Sequence, residues 1–322
     1  MWSRFVLASL VIFFAGRYLS DLADEAADLT GLSKGFIGAL LLGVITSLPE
    51  LIGTISAVAY KSNPDLGVGN IFGSNLFNIA ILSLAIILFG SKVAGDGWRW
   101  RSNFSAYLSI SLSAFIVMLI GMCSLSNEAT AVSGDIFILA FYLVGMWVYS
   151  RQGPEETVDL GLQEKKPGRS LKTNLILIIL SGSLVVAAGV LLADACDDIA
   201  RNTRLTSTFV GSLFMAAATS LPEFVVTMRL LGLGNIGMAT GNIFGSNLMN
   251  LTIIAIADLV YTGSIYAAVT TAQVVTLGAG ILMSGIFLTG TLIKARRKVP
   301  LHMDSIGILV LYLLIYVWLY NH

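Results

Sequence analysis

Charge is scarce in this chain. Asp, Glu, Lys and Arg make up 12% of its 322 residues, about half the share of an ordinary soluble domain. With 56% of residues apolar or aromatic, there is too little polar surface to coat a globule of this size, which excludes an ordinary soluble enzyme. The 19 Lys and Arg balance 19 Asp and Glu. That balance leaves no basic footprint for nucleic acid and no acidic, disordered interaction tail. Cysteine is nearly missing: Cys123 and Cys196 are too few for a disulfide framework, have no metal-ligand spacing, and read as unrelated small side chains. Two histidines, His302 and His322, complete the inventory and stand outside every motif described below. What is left is an integral membrane protein.

Long apolar runs are plentiful. A membrane-spanning helix needs about 20 mainly apolar residues, and ten such runs occur, near 4–19, 36–60, 67–90, 104–124, 131–149, 175–193, 208–231, 236–260, 267–293 and 306–320. The first is shaped like a signal peptide but has no small-residue cleavage site, so it is expected to be a retained helix. The longest polar stretch, 150–173, divides the runs five and five. With the amino terminus outside and sides alternating, 15 of the 19 basic residues fall on the inner side and 4, namely Arg4, Lys61, Arg201 and Arg204, on the outer. That asymmetry favours ten spans with both termini outside. An odd number of spans per half then makes the two halves point in opposite directions.

The halves are also repeats. Thr46-Ser47-Leu48-Pro49-Glu50 recurs as Thr219-Ser220-Leu221-Pro222-Glu223, and the eight residues from Gly69 to Leu76 recur identically from Gly241 to Leu248. Inverted repeats of this kind characterise secondary transporters, whose substrate site lies near midplane at interrupted helices of both repeats. Glu50 and Glu223 fall inside apolar runs, where a carboxylate is costly and marks function by default. Each follows a proline, which lacks an N–H and obstructs the carbonyl four residues back, loosening carbonyls near Ile45–Thr46 and Ala218–Thr219. Thr46, Ser47, Thr219 and Ser220 add hydroxyls beside each carboxylate. Ser74 and Asn78 share one helix face, as do Ser246 and Asn250, because residues four apart are neighbours on a helix. An all-oxygen set of this kind suits a hard cation, calcium in particular with its 6–8 oxygen ligands. The lack of His or thiolate in the motifs argues against zinc or copper. Gly69/Gly73 and Gly241/Gly245 have the spacing that allows close helix approach.

Both duplicated motifs resemble the alpha-repeats of the sodium/calcium exchanger superfamily, and the resemblance covers nearly the whole chain. It implies an all-α integral membrane protein of ten transmembrane helices, arranged as two inverted five-helix repeats, 1–150 and 174–322, joined by a cytoplasmic linker, 151–173. It further implies alternating-access antiport of sodium against calcium, with the lipid bilayer as environment and the two ions as the only substrates. Glu50 and Glu223 would be the shared ligands, completed by Thr46, Ser47, Ser74 and Asn78 in one half and by Thr219, Ser220, Ser246 and Asn250 in the other. The first and sixth helices would slide past this site.

Two features depart from the family pattern. Ile45 and Ala218 stand where members often carry glycine, and Asn250 stands where potassium-dependent members carry aspartate, so no potassium co-transport is expected. The Gly-Asn-x-x-Glu element of proton-coupled calcium exchangers is absent after Gly69-Asn70 and Gly241-Asn242, which favours sodium. Calcium/proton antiport on the same scaffold is the close alternative. A non-transporting membrane cation sensor is the alternative from another class. No nucleophile–base pair suggests an enzyme, and neither a cofactor nor an obligate protein partner is implied. The short central loop fits a minimal, prokaryotic-type exchanger of the plasma membrane.

Overall fold

In a computed structural model of the protein, residues 1–30, 46–93, 103–123, 128–151, 170–232, 236–297 and 303–321 are described, and their regular structure is entirely helical. The helices are α1 (Trp2–Thr30), α2 (Leu48–Ile55, continuing as a π-helical turn, Ser56–Tyr60), α3 (Pro64–Val93), α4 (Phe104–Cys123), α5 (Glu128–Arg151) and α6 (Leu171–Asn202). Then come α7 (Ser207–Thr219, π-helical over Val210–Met215), α8 (Leu221–Gly232), α9 (Ile236–Asp258), the short α10 (Ile265–Ala268), α11 (Thr271–Arg297) and α12 (Met303–Asn321). Side-chain caps set several starts. Asn63 Oδ1 accepts from Leu66 N at 3.1 Å ahead of α3, Ser170 Oγ from Thr173 N at 3.2 Å at α6, and Thr206 Oγ1 from Phe209 N at 3.1 Å at α7. Each satisfies an amide that the first helical turn leaves without a partner.

Among the described residues, six helices, α3, α4, α5, α6, α11 and α12, are long and apolar enough to cross a membrane, and α7 with α8 makes a seventh candidate as a bent pair. α9 is long enough at 23 residues, but Asn242, Asn247 and Asn250 dilute its apolar character. Several apolar runs shift at their ends. α1 runs on through Thr30, carrying the acidic Asp21 and Glu25 within the helix. The run 208–231 is not one straight helix but two, bent by 53° at Ser220. α5 ends at Arg151 and α6 begins at Leu171, a few residues before the apolar run 175–193. Residues 31–45 and 152–169, with Ile45, Lys34, Lys165, Lys166 and Arg169, lie outside the described residues, as do Arg99, Arg101, Lys298, His302 and His322.

Burial ranks the helices from centre to rim. In α3, 78% of the most apolar window is buried, against 28% in α6 and 22% in α12; the outer two present Ile179, Leu180, Leu313 and Val317 outward, as a lipid-facing helix does. α3 and α9 cross at the middle and hold α2, α7 and α8 against them, while α1 and α6 lie along one another on one side. This pair reaches both halves: α6 packs on α2 and α7, and α1 packs on α7 and α8. Glycine sets the closest approach. A Cβ on Gly73 would stand 2.2 Å from Ser212 O, and one on Gly211 would stand 2.5 Å from Leu66 O. α3 and α7 therefore touch backbone to backbone, as the Gly69/Gly73 spacing predicts, whereas Gly241 meets only Tyr149 Oη at 3.8 Å and Gly245 nothing within 4 Å.

Candidate functional site

The two proline motifs fold alike. Ser47 (φ −84°, ψ 5°) and Ser220 (φ −87°, ψ 12°) sit at equivalent breaks, each just ahead of Leu-Pro-Glu. Both occupy the sparsely populated bridge region between helix and strand, a common address for functional residues. The helix resumes at once, with Leu51 N donating to Ser47 O at 3.0 Å and Phe224 N to Ser220 O at 3.1 Å. This places Glu50 and Glu223 in the first turn of α2 and α8, both at 0% exposure. A first helical turn favours negative charge, because its amide groups point their positive ends that way.

Around Glu50 the hydroxyls come from both halves of the chain. Ser220 Oγ donates to Glu50 Oε1 at 2.8 Å, and Ser74 Oγ lies 3.5 Å from the same oxygen and 3.5 Å from Thr219 Oγ1. The equivalent residues on the other side also meet: Thr46 Oγ1 and Ser246 Oγ are 3.4 Å apart and both face Glu223. Neither oxygen of Glu223, however, has a partner within hydrogen-bonding distance, and Glu50 Oε2 and Ser47 Oγ are likewise unpartnered. Among the described residues, no Lys, Arg or His forms an ion pair with either carboxylate. Two buried carboxylates without a basic neighbour call for positive charge from elsewhere.

Asn78 and Asn250 sit differently from the hydroxyls: their hydrogen bonds go to neighbouring amides. Asn75 Nδ2 donates to Asn247 O at 3.3 Å, and Asn247 Nδ2 returns the bond to Asn75 O at 3.2 Å. A backbone carbonyl only accepts, so these bonds fix which way both amides point. Their Oδ1 atoms must then accept, and they do: Asn78 Nδ2 donates to Asn247 Oδ1 at 2.9 Å and Asn250 Nδ2 to Asn75 Oδ1 at 3.0 Å. Asn78 Oδ1 and Asn250 Oδ1 are thereby left as buried acceptors without a partner. The clamp presents oxygen, not N–H, wherever it has an atom to spare.

Outside this clamp, Asn70 Nδ2 donates to Thr54 Oγ1 at 3.0 Å and Asn242 Nδ2 to Thr227 Oγ1 at 3.3 Å, again at equivalent positions. Thr219 Oγ1 reaches Asn70 Oδ1 at 3.2 Å. Sequence reasoning passed over Asn70, Asn75, Asn242 and Asn247, although all four lie in the eight-residue repeat. Their recurrence was the available signal; what each one touches follows only from how α3 and α9 cross. Replacing Asn75 or Asn247 with Ala strands two amides in a buried setting, which costs about 1–3 kcal/mol per unsatisfied group. A lower thermal midpoint for the detergent-solubilised variant is the expected result, larger than for Ala at the partly exposed Thr203.

Acidic residues near the ends of α1 and α6 meet basic partners. Asp198 pairs with Arg4 and Asp194 with Lys61, while Asp197 receives Arg201 Nε at 2.8 Å and Asn63 Nδ2 at 2.9 Å. Donating to the Asp194 carboxylate holds the Lys61 ammonium above its usual range. At the other cluster, Asp21 stands 3.9 Å from Arg229. Cys123 and Cys196 are both free and buried.

A duplicated set of hydroxyls, amide oxygens and two carboxylates therefore lines the centre of an all-helical membrane protein. The sequence matches the family of the sodium/calcium exchanger protein over residues 1–150 and 173–321. The chain belongs to that family. Among relatives, the sodium/calcium exchanger MaX1 of Methanosarcina acetivorans is 24% identical over 293 residues, covering 81% of this chain and 83% of that one. Among solved structures, the sodium-calcium exchanger NCX_Mj aligns with a TM-score of 0.61 at 21% identity, over 97% of this chain and 96% of its own. The H+/Ca2+ exchanger CAX aligns with a TM-score of 0.74 at 14% identity, over 99% and 84% respectively. Both likenesses show a shared fold. Family membership makes this a membrane protein of a cation/calcium exchanger group.

Proposed function

We propose that this exchanger moves calcium against sodium by alternating access at Glu50 and Glu223, with Thr46, Ser47, Ser74, Asn78, Thr219, Ser220, Ser246 and Asn250 as the remaining oxygen donors. The observation that carries the reading is the set of buried, unpartnered acceptors: Ser47 Oγ, Glu50 Oε2, both Glu223 oxygens, Asn78 Oδ1 and Asn250 Oδ1. Nothing in that set donates except a hydroxyl, and its two carboxylates match one divalent charge. In this reading the ion is cargo, and sodium entering down its gradient competes for the same oxygens. The ten spans form inverted repeats over 1–150 and 174–322, with 151–173 as a cytoplasmic linker and both termini outside a prokaryotic plasma membrane. The repeated motifs and the matching breaks at Ser47 and Ser220 support that plan.

Radioactive calcium uptake into proteoliposomes separates sodium from proton coupling. An outward sodium gradient is expected to drive uptake without potassium, and a proton gradient alone is expected to drive none. Uptake driven only by the proton gradient would establish the calcium/proton alternative instead. Uptake that needs potassium on the calcium side would overturn the reading of Asn250.

A further inference from the structure

We infer that Tyr316, on α12, is a positioning residue for the ion site: its hydroxyl props the π-helical turn of α7 and so sets the register at which Thr219 and Ser220 meet Glu50. An α-helix would send the Ala216 amide to Ser212 O, four residues back. It goes instead to Gly211 O and Leu213 O, passing Ser212 O by. The one donor of the Ser212 side chain is spent, because its hydroxyl donates to Thr208 O at 2.6 Å. The partner comes from another helix: Tyr316 donates its hydroxyl to Ser212 O at 2.5 Å.

The setting makes that bond count. Ser212 and Tyr316 are both buried, and a buried carbonyl needs a donor. The Ser212 carbonyl lies against α3, where a Cβ on Gly73 would meet it at 2.2 Å, so no water fits on that side. On α12 the Tyr316 ring packs on Tyr312 at 4.7 Å between centroids, and the Tyr312 ring lies 6.3 Å from that of Phe77 on α3. The hydroxyl is thus carried by a helix fastened to the central crossing, not by α7 itself.

A π turn fits one extra residue into a helix by bonding five residues back instead of four. Closing it to α would rotate everything beyond it by roughly 100° and advance it by about 1.5 Å. Beyond it lie Thr219 and Ser220. Ser220 Oγ donates to Glu50 Oε1 at 2.8 Å, and Thr219 Oγ1 to Asn70 Oδ1 at 3.2 Å. A rotation of that size carries both hydroxyls away from these partners. Without the phenol, Ser212 O regains a donor by taking back the Ala216 amide, and the turn closes. The inference rests on the reading of Glu50 as an ion ligand, and adds what keeps its hydroxyl neighbours in place.

Calcium binding to the purified full-length protein in sodium-free detergent solution tests the inference. Tyr316→Phe keeps the ring and removes only the hydroxyl. It is expected to weaken calcium binding about tenfold, the size of one charge-assisted hydrogen bond. Ser220→Ala should lose a similar amount. The double variant should bind no more weakly than Ser220→Ala alone, because both changes remove the same contact. Tyr320→Phe, one turn along α12 and exposed, should bind like the wild type. Wild-type affinity in Tyr316→Phe would overturn the inference, as would an equal loss in Tyr320→Phe. So would losses that simply add, the mark of a merely structural role. A second measurement reads the register without any ion. Ser74 Oγ and Thr219 Oγ1 are 3.5 Å apart, so a Ser74→Cys/Thr219→Cys protein should form a disulfide under mild oxidant in membranes. Tyr316→Phe should reduce its yield severalfold. An unchanged yield would overturn the inference even where that variant is too unstable to purify. If Glu50→Gln binds calcium like the wild type, the ion-site reading fails, while the cross-link still reports on Tyr316.

Discussion

Glu223→Gln and Glu50→Gln are each expected to abolish calcium exchange while leaving folded protein. Removing one partner of a buried, charged interaction costs roughly 2–5 kcal/mol. At about 1.4 kcal/mol per tenfold, that weakens calcium binding on the order of 30-fold to several thousand-fold. The protein tolerates the change because glutamine has the same shape, and Ser220 Oγ, 2.8 Å from Glu50 Oε1, accepts an amide N–H as readily as it donates. Glu223 has no hydrogen bond to lose. Without calcium, both variants are therefore expected to melt at or above the wild-type temperature, since each removes a buried charge. With calcium, the wild type gains stability from binding to the folded state alone, and the variants should lose that gain. A fully active Glu223→Gln protein would remove the basis of the site.

Gly73→Ala is expected to have the largest effect on folding of the glycine-to-alanine changes among the described residues. The added Cβ would sit 2.2 Å from Ser212 O and 2.4 Å from Ser212 Cα. Overpacking commonly costs about 1–3 kcal/mol when side chains give way, but here the obstacle is backbone, so α3 and α7 must separate. Gly211→Ala, facing Leu66 O at 2.5 Å, should behave similarly. Gly121→Ala is the control: its Cβ meets nothing within 4 Å, and alanine raises helix propensity by about 1 kcal/mol. Thermal midpoints read by size-exclusion chromatography should fall sharply for the first two variants and hold or rise for the third. Equal midpoints for Gly73→Ala and Gly121→Ala would contradict the close approach.

The helical, membrane-embedded character of the chain was legible from its apolar runs, and the break at each proline from Pro49 and Pro222. Glu50, Glu223 and their hydroxyl neighbours were legible too, because a carboxylate inside an apolar run has few reasons to be there. Three things were not. The extension of α1 through Thr30 escapes hydropathy, since Asp21 and Glu25 lie in the helix beyond its apolar run. The pairing of Asp194, Asp197 and Asp198 with Lys61, Arg201 and Arg4 depends on contacts between distant segments. Asp135 gave no sign at all: it occurs once, outside both motifs, and only packing between distant segments brings the Tyr266 hydroxyl to it.

The reciprocal amides of Asn75 and Asn247 have a mechanical consequence. Each bonds the other's backbone, and Asn78 and Asn250 lock the same two side chains a turn farther on. Such a cross-brace resists both sliding and rotation of α3 against α9, because either motion breaks several buried bonds together. The central crossing is thus a stator. In the proposed exchange cycle the moving part would be a rotor built from the remaining helices, and α1 with α6 is the pair lashed to each other.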